Sequence, residues 1–127
     1  MPRILVAEDD DAVREFVSRA LCLQGHTVTA VTDGGRALEA LEGQTYDLLL
    51  TDIVMPGLDG IALALKVAKA YPQLPVLLMT GYAAERQRAH NLDALISRVL
   101  LKPFTLKEIC AAVAEVLAGR SASGRPT

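Results

Sequence analysis

Leu48-Leu49-Leu50-Thr51-Asp52-Ile53-Val54-Met55-Pro56-Gly57, residues 48–57, sets an unbroken apolar run against an acid and then a Pro-Gly turn. A short apolar run bounded by turn residues reads as a strand buried on both faces, the kind found in parallel sheets. Two further runs also end in charge: the one starting at Ile4 reaches Glu8 and Asp9, and the one ending at Leu101 reaches Lys102-Pro103. In a parallel α/β sheet the functional crevice lies outside the carboxyl ends of the strands, where residues remote in sequence converge. Three carboxylates and one ammonium would then meet. Like charges held together are relieved by a raised pKa or by a hard cation with oxygen ligands, so the cluster predicts a metal such as Mg²⁺.

Outward from this stretch, β-rich or apolar runs alternate with segments of helical period, the pattern of a parallel sheet covered by helices on both faces. Strands are expected at Ile4 to Ala7, Thr27 to Val31, Asp47 to Thr51, Val76 to Met79 and Ile96 to Leu101, the polar second one at an edge. Between and after them there is room for five helices. Val13, Phe16, Val17, Ala20 and Leu21 share one helical face, and Gly25 supplies a stop. Asp33 caps a second helix and Asp59 a third, which Pro72 ends. The segment from Ala83 to Leu95 has only a thin apolar stripe, so a helix there would pack weakly. Thr105 and Glu108 form a capping box before the last helix, carrying Ile109, Val113, Val116 and Leu117 on one face. The chain therefore divides into one domain over 1–118 and a disordered Ser/Gly/Arg/Pro tail over 119–127.

With 127 residues and 51% hydrophobic content, the chain can bury one core. A formal charge of −2 and few aromatics argue against a direct nucleic-acid surface. Cys22 and Cys110 have neither metal-ligand spacing nor disulfide-scaffold density and read as reduced, buried thiols. His26 and His90 lack a ligand pattern and read as structural or surface residues. No stretch has the length of a membrane span or the layout of a signal peptide, so the chain reads as cytoplasmic with no membrane contact.

Four ordered motifs carry a resemblance: Glu8-Asp9-Asp10, Thr51-Asp52-Ile53-Val54-Met55-Pro56-Gly57, Thr80-Gly81 and Lys102-Pro103-Phe104. Together, over about residues 3–118, they resemble a response-regulator receiver domain. The resemblance implies a CheY-like, flavodoxin-like α/β fold with five parallel strands in the order 2-1-3-4-5 and five helices. It makes Asp52 the phosphoacceptor, taking a phosphoryl group from a histidine kinase or histidine phosphotransfer protein. Asp9 and Asp52 would ligate Mg²⁺ directly, with the backbone carbonyl of Val54 and with Glu8, direct or through water. Lys102 would pair with Asp52 and then with a phosphoryl oxygen, Thr80 would hydrogen-bond another, and the family has a cis bond before the proline that here is Pro103. Taken singly, each residue has a plainer reading: Asp9 to Asp11 as helix caps, Asp52 as a turn residue, Lys102 as a surface lysine and Thr80-Gly81 as a strand ending.

The sequence also departs from the family. Many receivers carry an aromatic switch residue where Val99 stands, and Tyr82 is a substitute reporter at the mouth of the site. Val54 and Tyr82 occupy the two positions that influence water attack on the phosphoryl group. Neither is a carboxylate base, which suggests a slowly decaying phosphoform. The wording of the motifs is most similar to the CpdR group of alphaproteobacterial single-domain regulators, which implies an adaptor role toward the ClpXP protease. Output is then expected through protein contacts of the receiver surface, as a monomer or a phosphorylation-dependent dimer. A phosphorylation-independent scaffold and a phosphorelay intermediate are the alternatives. A haloacid-dehalogenase-type enzyme would need an aspartate where Val54 stands, and no phosphate-binding Gly-rich loop is present, so multi-turnover chemistry on small substrates is not expected.

Overall fold

The strand positions follow the apolar runs, and the sheet they form is the frame of the molecule. The computed structural model describes residues 2–81 and 98–123. Its strands are β1 (Arg3–Ala7), β2 (Thr27–Val31), β3 (Leu48–Asp52), β4 (Val76–Thr80) and β5 (Arg98–Leu101). All neighbours are parallel, in the order β2-β1-β3-β4-β5, so the polar second strand lies at an edge as its composition indicates. The described helices are α1 (Asp11–Leu23), α2 (Gly34–Gly43), α3 (Gly60–Ala70) and α4 (Leu106–Ser123). The weak helix expected within Ala83 to Leu95 lies outside the described residues, as do Tyr82, His90 and the start of the fifth expected strand.

Alternation along each strand divides the core in two. Ile4, Val6, Leu48, Leu50, Leu77 and Met79 pack with Val17 and Leu21 of α1 and Ile109 and Val113 of α4. Leu5, Ala7, Leu49, Val76 and Leu78 pack instead with Ala37 and Leu41 of α2 and Leu63 and Val67 of α3. Helices on both faces make the sheet doubly wound, the flavodoxin-like arrangement.

The helix starts are built as the side chains dictate. Asp10, Asp33 and Asp59 each accept from a backbone N–H of the first turn of α1, α2 and α3. At α4 the Thr105 hydroxyl accepts from the Glu108 N–H at 3.0 Å, and the Glu108 carboxylate accepts from the Thr105 N–H at 2.9 Å. This reciprocal pair is the expected capping box. Gly25 follows α1 with φ +90°, a left-handed turn that ends the helix without a Cβ penalty.

Three expectations need correction. Cys22 is exposed rather than buried, because Leu21 faces the sheet and the next residue is turned about 100° away around the helix. Cys110 is half-buried, its thiol against the Ala20 carbonyl at 3.7 Å, and burial pushes its pKa up. Phe16 lies at the rim of its helical face, 40% exposed, with its ring centroid 6.4 Å from that of Phe104. Finally, α4 continues past the boundary expected at residue 119 to Ser123, since one glycine costs a helix only about 1 kcal/mol and its neighbours Ala118 and Arg120 are good helix formers. No described helix is long and apolar enough to cross a membrane.

Candidate functional site

The register brings the charged residues together. Ala7 pairs with Thr51, so the residues that follow, Glu8 and Asp52, stand level at the carboxyl end of the sheet. Thr80 pairs with Leu101, which puts Lys102 just beyond the same end. Glu8, Asp52 and Lys102 also continue the alternation of Val6, Leu50 and Leu100, and so fall on the face covered by α1 and α4. Thr80 and Val99 have the opposite parity. Thr80 is fully buried, and Val99 is half-buried against the other core.

Backbone bonds extend the ladder to each of these positions. The Glu8 N–H donates to the Val31 carbonyl at 3.1 Å, the Ile53 N–H to Met79 at 2.9 Å and the Lys102 N–H to Thr80 at 2.7 Å. The Lys102–Pro103 peptide bond is cis, as the resemblance implies. Glu8, Asp9, Asp10, Asp52, Val54, Gly81, Lys102 and Pro103 line an open crevice of about 590 Å³.

Within it, Glu8, Asp9 and Asp52 each present a carboxylate oxygen within 4.8 Å of the others. Glu8 is fully buried, Asp52 is 6% exposed, and Asp9 is open to solvent. The Lys102 ammonium bridges two of them, 2.7 Å from Glu8 Oε1 and 3.2 Å from Asp52 Oδ2. The lysine thus sits nearer to Glu8 than to the aspartate with which sequence reasoning paired it. Burial alone would lower the lysine's pKa. The Glu8 hydrogen bond and the charges of Asp52 and Glu8 outweigh it and hold the pKa above the ordinary value. Partial burial, followed by the hydrogen bond and charge of Glu8, pushes the Asp9 carboxyl up.

Three carboxylates and one ammonium leave the cluster with excess negative charge. All the donors are hard oxygens, two are held in place by burial, and the third faces water. That donor set fits Mg²⁺, which binds through a few carboxylates while keeping some of its waters. Val54 stands at the mouth, 45% exposed.

Three supporting residues were not identified from sequence. The buried Thr51 hydroxyl donates to the Asp52 carbonyl at 3.0 Å. Gly60 packs directly on the same carbonyl, so closely that a Cβ there would lie 2.1 Å from it. Arg14 Nη1 donates to the Glu8 carbonyl at 2.9 Å. Only Arg14 leaves a sequence signal: a cation in the first turn of a helix opposes the usual preference for acids there.

Residues 4–114 match the family model of the response regulator receiver domain. The chain is 39% identical over 117 residues to the response regulator receiver protein CpdR of Brucella abortus, covering 92% of this chain and 98% of that protein. It is 38% identical over 109 residues to the transcriptional regulatory protein TcrA of Mycobacterium tuberculosis, 86% of this chain but only 43% of that longer protein. Among solved structures, the Thermotoga maritima response regulator TrrA in complex with Mg²⁺-BeF superposes with a TM-score of 0.84 at 28% identity, covering 91% of this chain and 99% of that one.

Proposed function

The chain belongs to the response-regulator receiver family of two-component signalling, and from that premise we propose that Asp52 is its phosphoacceptor and that phosphorylation controls a protein–protein contact. The observation that carries this reading is the meeting of Glu8, Asp9 and Asp52 with Lys102 in one crevice at the carboxyl end of the sheet. Receiver domains interact with histidine kinases and output partners. The phosphoryl donor here is a phosphohistidine of a kinase or a phosphotransfer protein.

In the transfer, an Asp52 carboxylate oxygen forms the bond to phosphorus while the phosphorus–nitrogen bond of the donor breaks, its electron pair staying with the imidazole. Such a step asks the protein for in-line positioning and charge stabilisation more than for covalent machinery. Asp9, Asp52, the Val54 carbonyl and Glu8 would hold Mg²⁺, which when bound neutralises charge on the carboxylates and the phosphoryl group. The Thr51 hydroxyl and the tight seat of Gly60 fix the Asp52 main chain, so that its carboxylate is presented in one direction. Lys102, on a flexible stem, turns from the acids to a phosphoryl oxygen as a charge-assisted donor. The Thr80 hydroxyl hydrogen-bonds a second oxygen.

Val99 takes the place of the aromatic switch, so the response to phosphate is transmitted by a smaller side chain. Val54, apolar at the mouth, cannot orient an attacking water, which favours a long-lived phosphoform. An adaptor role toward ClpXP is the output favoured by the similarity to CpdR along nearly all of that protein's length. Incubation with a phosphohistidine-bearing phosphotransfer protein and Mg²⁺ tests the reading: label should move to the wild type and not to Asp52→Ala. Label in neither protein would instead favour a phosphate-independent scaffold.

A further inference from the structure

Arg14 stands in α1 shortly after the acids of the β1–α1 connection. It is the fourth residue of α1, and its side chain is 21% exposed. Nη1 donates to the Glu8 carbonyl at 2.9 Å, and Nη2 pairs with Asp11. A positive charge so near a helix N-terminus is unfavourable to the helix dipole. The pair with Asp11 is a local gain, whereas the bond to the Glu8 carbonyl reaches back out of the helix and points to a constraint from elsewhere.

That constraint is the peptide unit joining Glu8 to Asp9. The carbonyl that Arg14 grips belongs to this unit, so the guanidinium fixes the plane from which the Asp9 main chain departs. The Glu8 carboxylate is held separately, by Lys102 and by the Asp10 N–H at 3.1 Å. Lys102 and Asp10 therefore anchor the side chain of the first acid, and Arg14 anchors the turn between the two acids. The planar fork, tied to Asp11 at its other arm, gives this anchor a single orientation.

We infer that Arg14 is a positioning residue for the acid pair, and that its grip on the Glu8 carbonyl sets the protein's affinity for Mg²⁺. This rests on the metal-binding reading above. Its charge and its geometry act with opposite signs. A cation close to the acids repels a divalent ion, so if only charge mattered, removing it would tighten Mg²⁺ binding. Loss of an outer partner that orients metal ligands typically weakens binding by about tenfold or more.

The test is calorimetric Mg²⁺ titration of the wild type, Arg14→Met, Arg14→Lys and Arg19→Met, with thermal melts in EDTA and in Mg²⁺ as a second readout. Arg19 pairs with Glu15 on the exposed side of the same helix and controls for net charge. The expected result is a dissociation constant raised about tenfold in Arg14→Met and less in Arg14→Lys, which keeps a charged donor but loses the planar fork, with Arg19→Met near the wild type. The Mg²⁺ concentration that gives half-maximal phosphorylation by acetyl phosphate should rise in parallel with the dissociation constant, a shift that a merely structural role would not produce. If Arg14→Met proves unstable, Arg14→Lys decides alone. Unchanged or tighter binding in the Arg14 variants overturns the inference while leaving the metal site standing. Failure of the wild type itself to bind Mg²⁺ overturns both.

Discussion

Replacing Asp52 by Asn should stabilise the metal-free protein while abolishing its response to Mg²⁺. The substitution keeps the shape of the side chain and an oxygen for Lys102, so it changes mainly charge. Asp52 faces two carboxylates within 4.8 Å and one ammonium at 3.2 Å. At an effective dielectric of about 20, each repulsion is worth roughly 3.5 kcal/mol and the attraction roughly 5 kcal/mol. Solvent at the exposed Asp9 weakens one repulsion, so the Coulombic terms nearly balance, leaving at most about 2 kcal/mol of repulsion. The cost of desolvating a carboxylate that is only 6% exposed comes on top of this and is removed by Asn. The net expectation is a gain of about 1–2 kcal/mol, or roughly 5 °C in melting temperature for a chain of this size. Thermal melts in EDTA and in Mg²⁺ provide the assay. In Mg²⁺ at ten times its dissociation constant the wild type should gain about 1.4 kcal/mol and the variant nothing. A variant that melts below the wild type in EDTA, or that gains as much from Mg²⁺, would refute the charge reasoning.

Further expectations follow from the neighbouring geometry. Gly60→Ala, whose Cβ would sit 2.1 Å from the Asp52 carbonyl, should lose about 2–4 kcal/mol by urea denaturation, whereas Gly43→Ala, with open space around it, should be neutral or slightly stabilising; equal stability of the two would contradict the packing argument. His26 is held below its ordinary pKa of 6.5 by burial, and its Nδ1 has no hydrogen-bond partner among the described residues. The unfolded chain therefore takes up the proton first, and the stability present above pH 6.5 falls as the pH drops through the lowered folded-state value. His26→Asn should flatten that acid limb in melts across pH 5 to 7, and an unaltered limb would assign it to other groups. Val54→Asn, adding a polar group at the crevice mouth, should shorten the phosphoform's lifetime several-fold by timed mass spectrometry; an unchanged lifetime would remove Val54 from the account of slow decay.

Much of this was legible in the sequence because the signals are local. Leu48-Leu49-Leu50, short and bounded by turn residues, reads as a strand covered on both sides, and the caps at Asp33, Asp59 and Thr105 use side chains that reach their own first turn. The convergence of Glu8, Asp52 and Lys102 was legible through the rule that parallel strands align their carboxyl ends. What escaped depends on distances that pattern does not carry. That Lys102 leans toward Glu8, 94 residues away, is set by side-chain packing within the crevice. The grip of Arg14 on a carbonyl and the seat of Gly60 on the Asp52 main chain are contacts to backbone atoms, which have no residue type to read. Cys22 shows the other limit: a helical face is about 100° wide, and one residue past Leu21 is already outside it.

The most direct measurement is intact-protein mass after incubation with acetyl phosphate or phosphoramidate, with and without Mg²⁺, for the wild type and Asp52→Ala. The account predicts one phosphoryl adduct on the wild type that requires Mg²⁺ and is lost in the variant. An adduct that persists in Asp52→Ala, or none on the wild type, would contradict it.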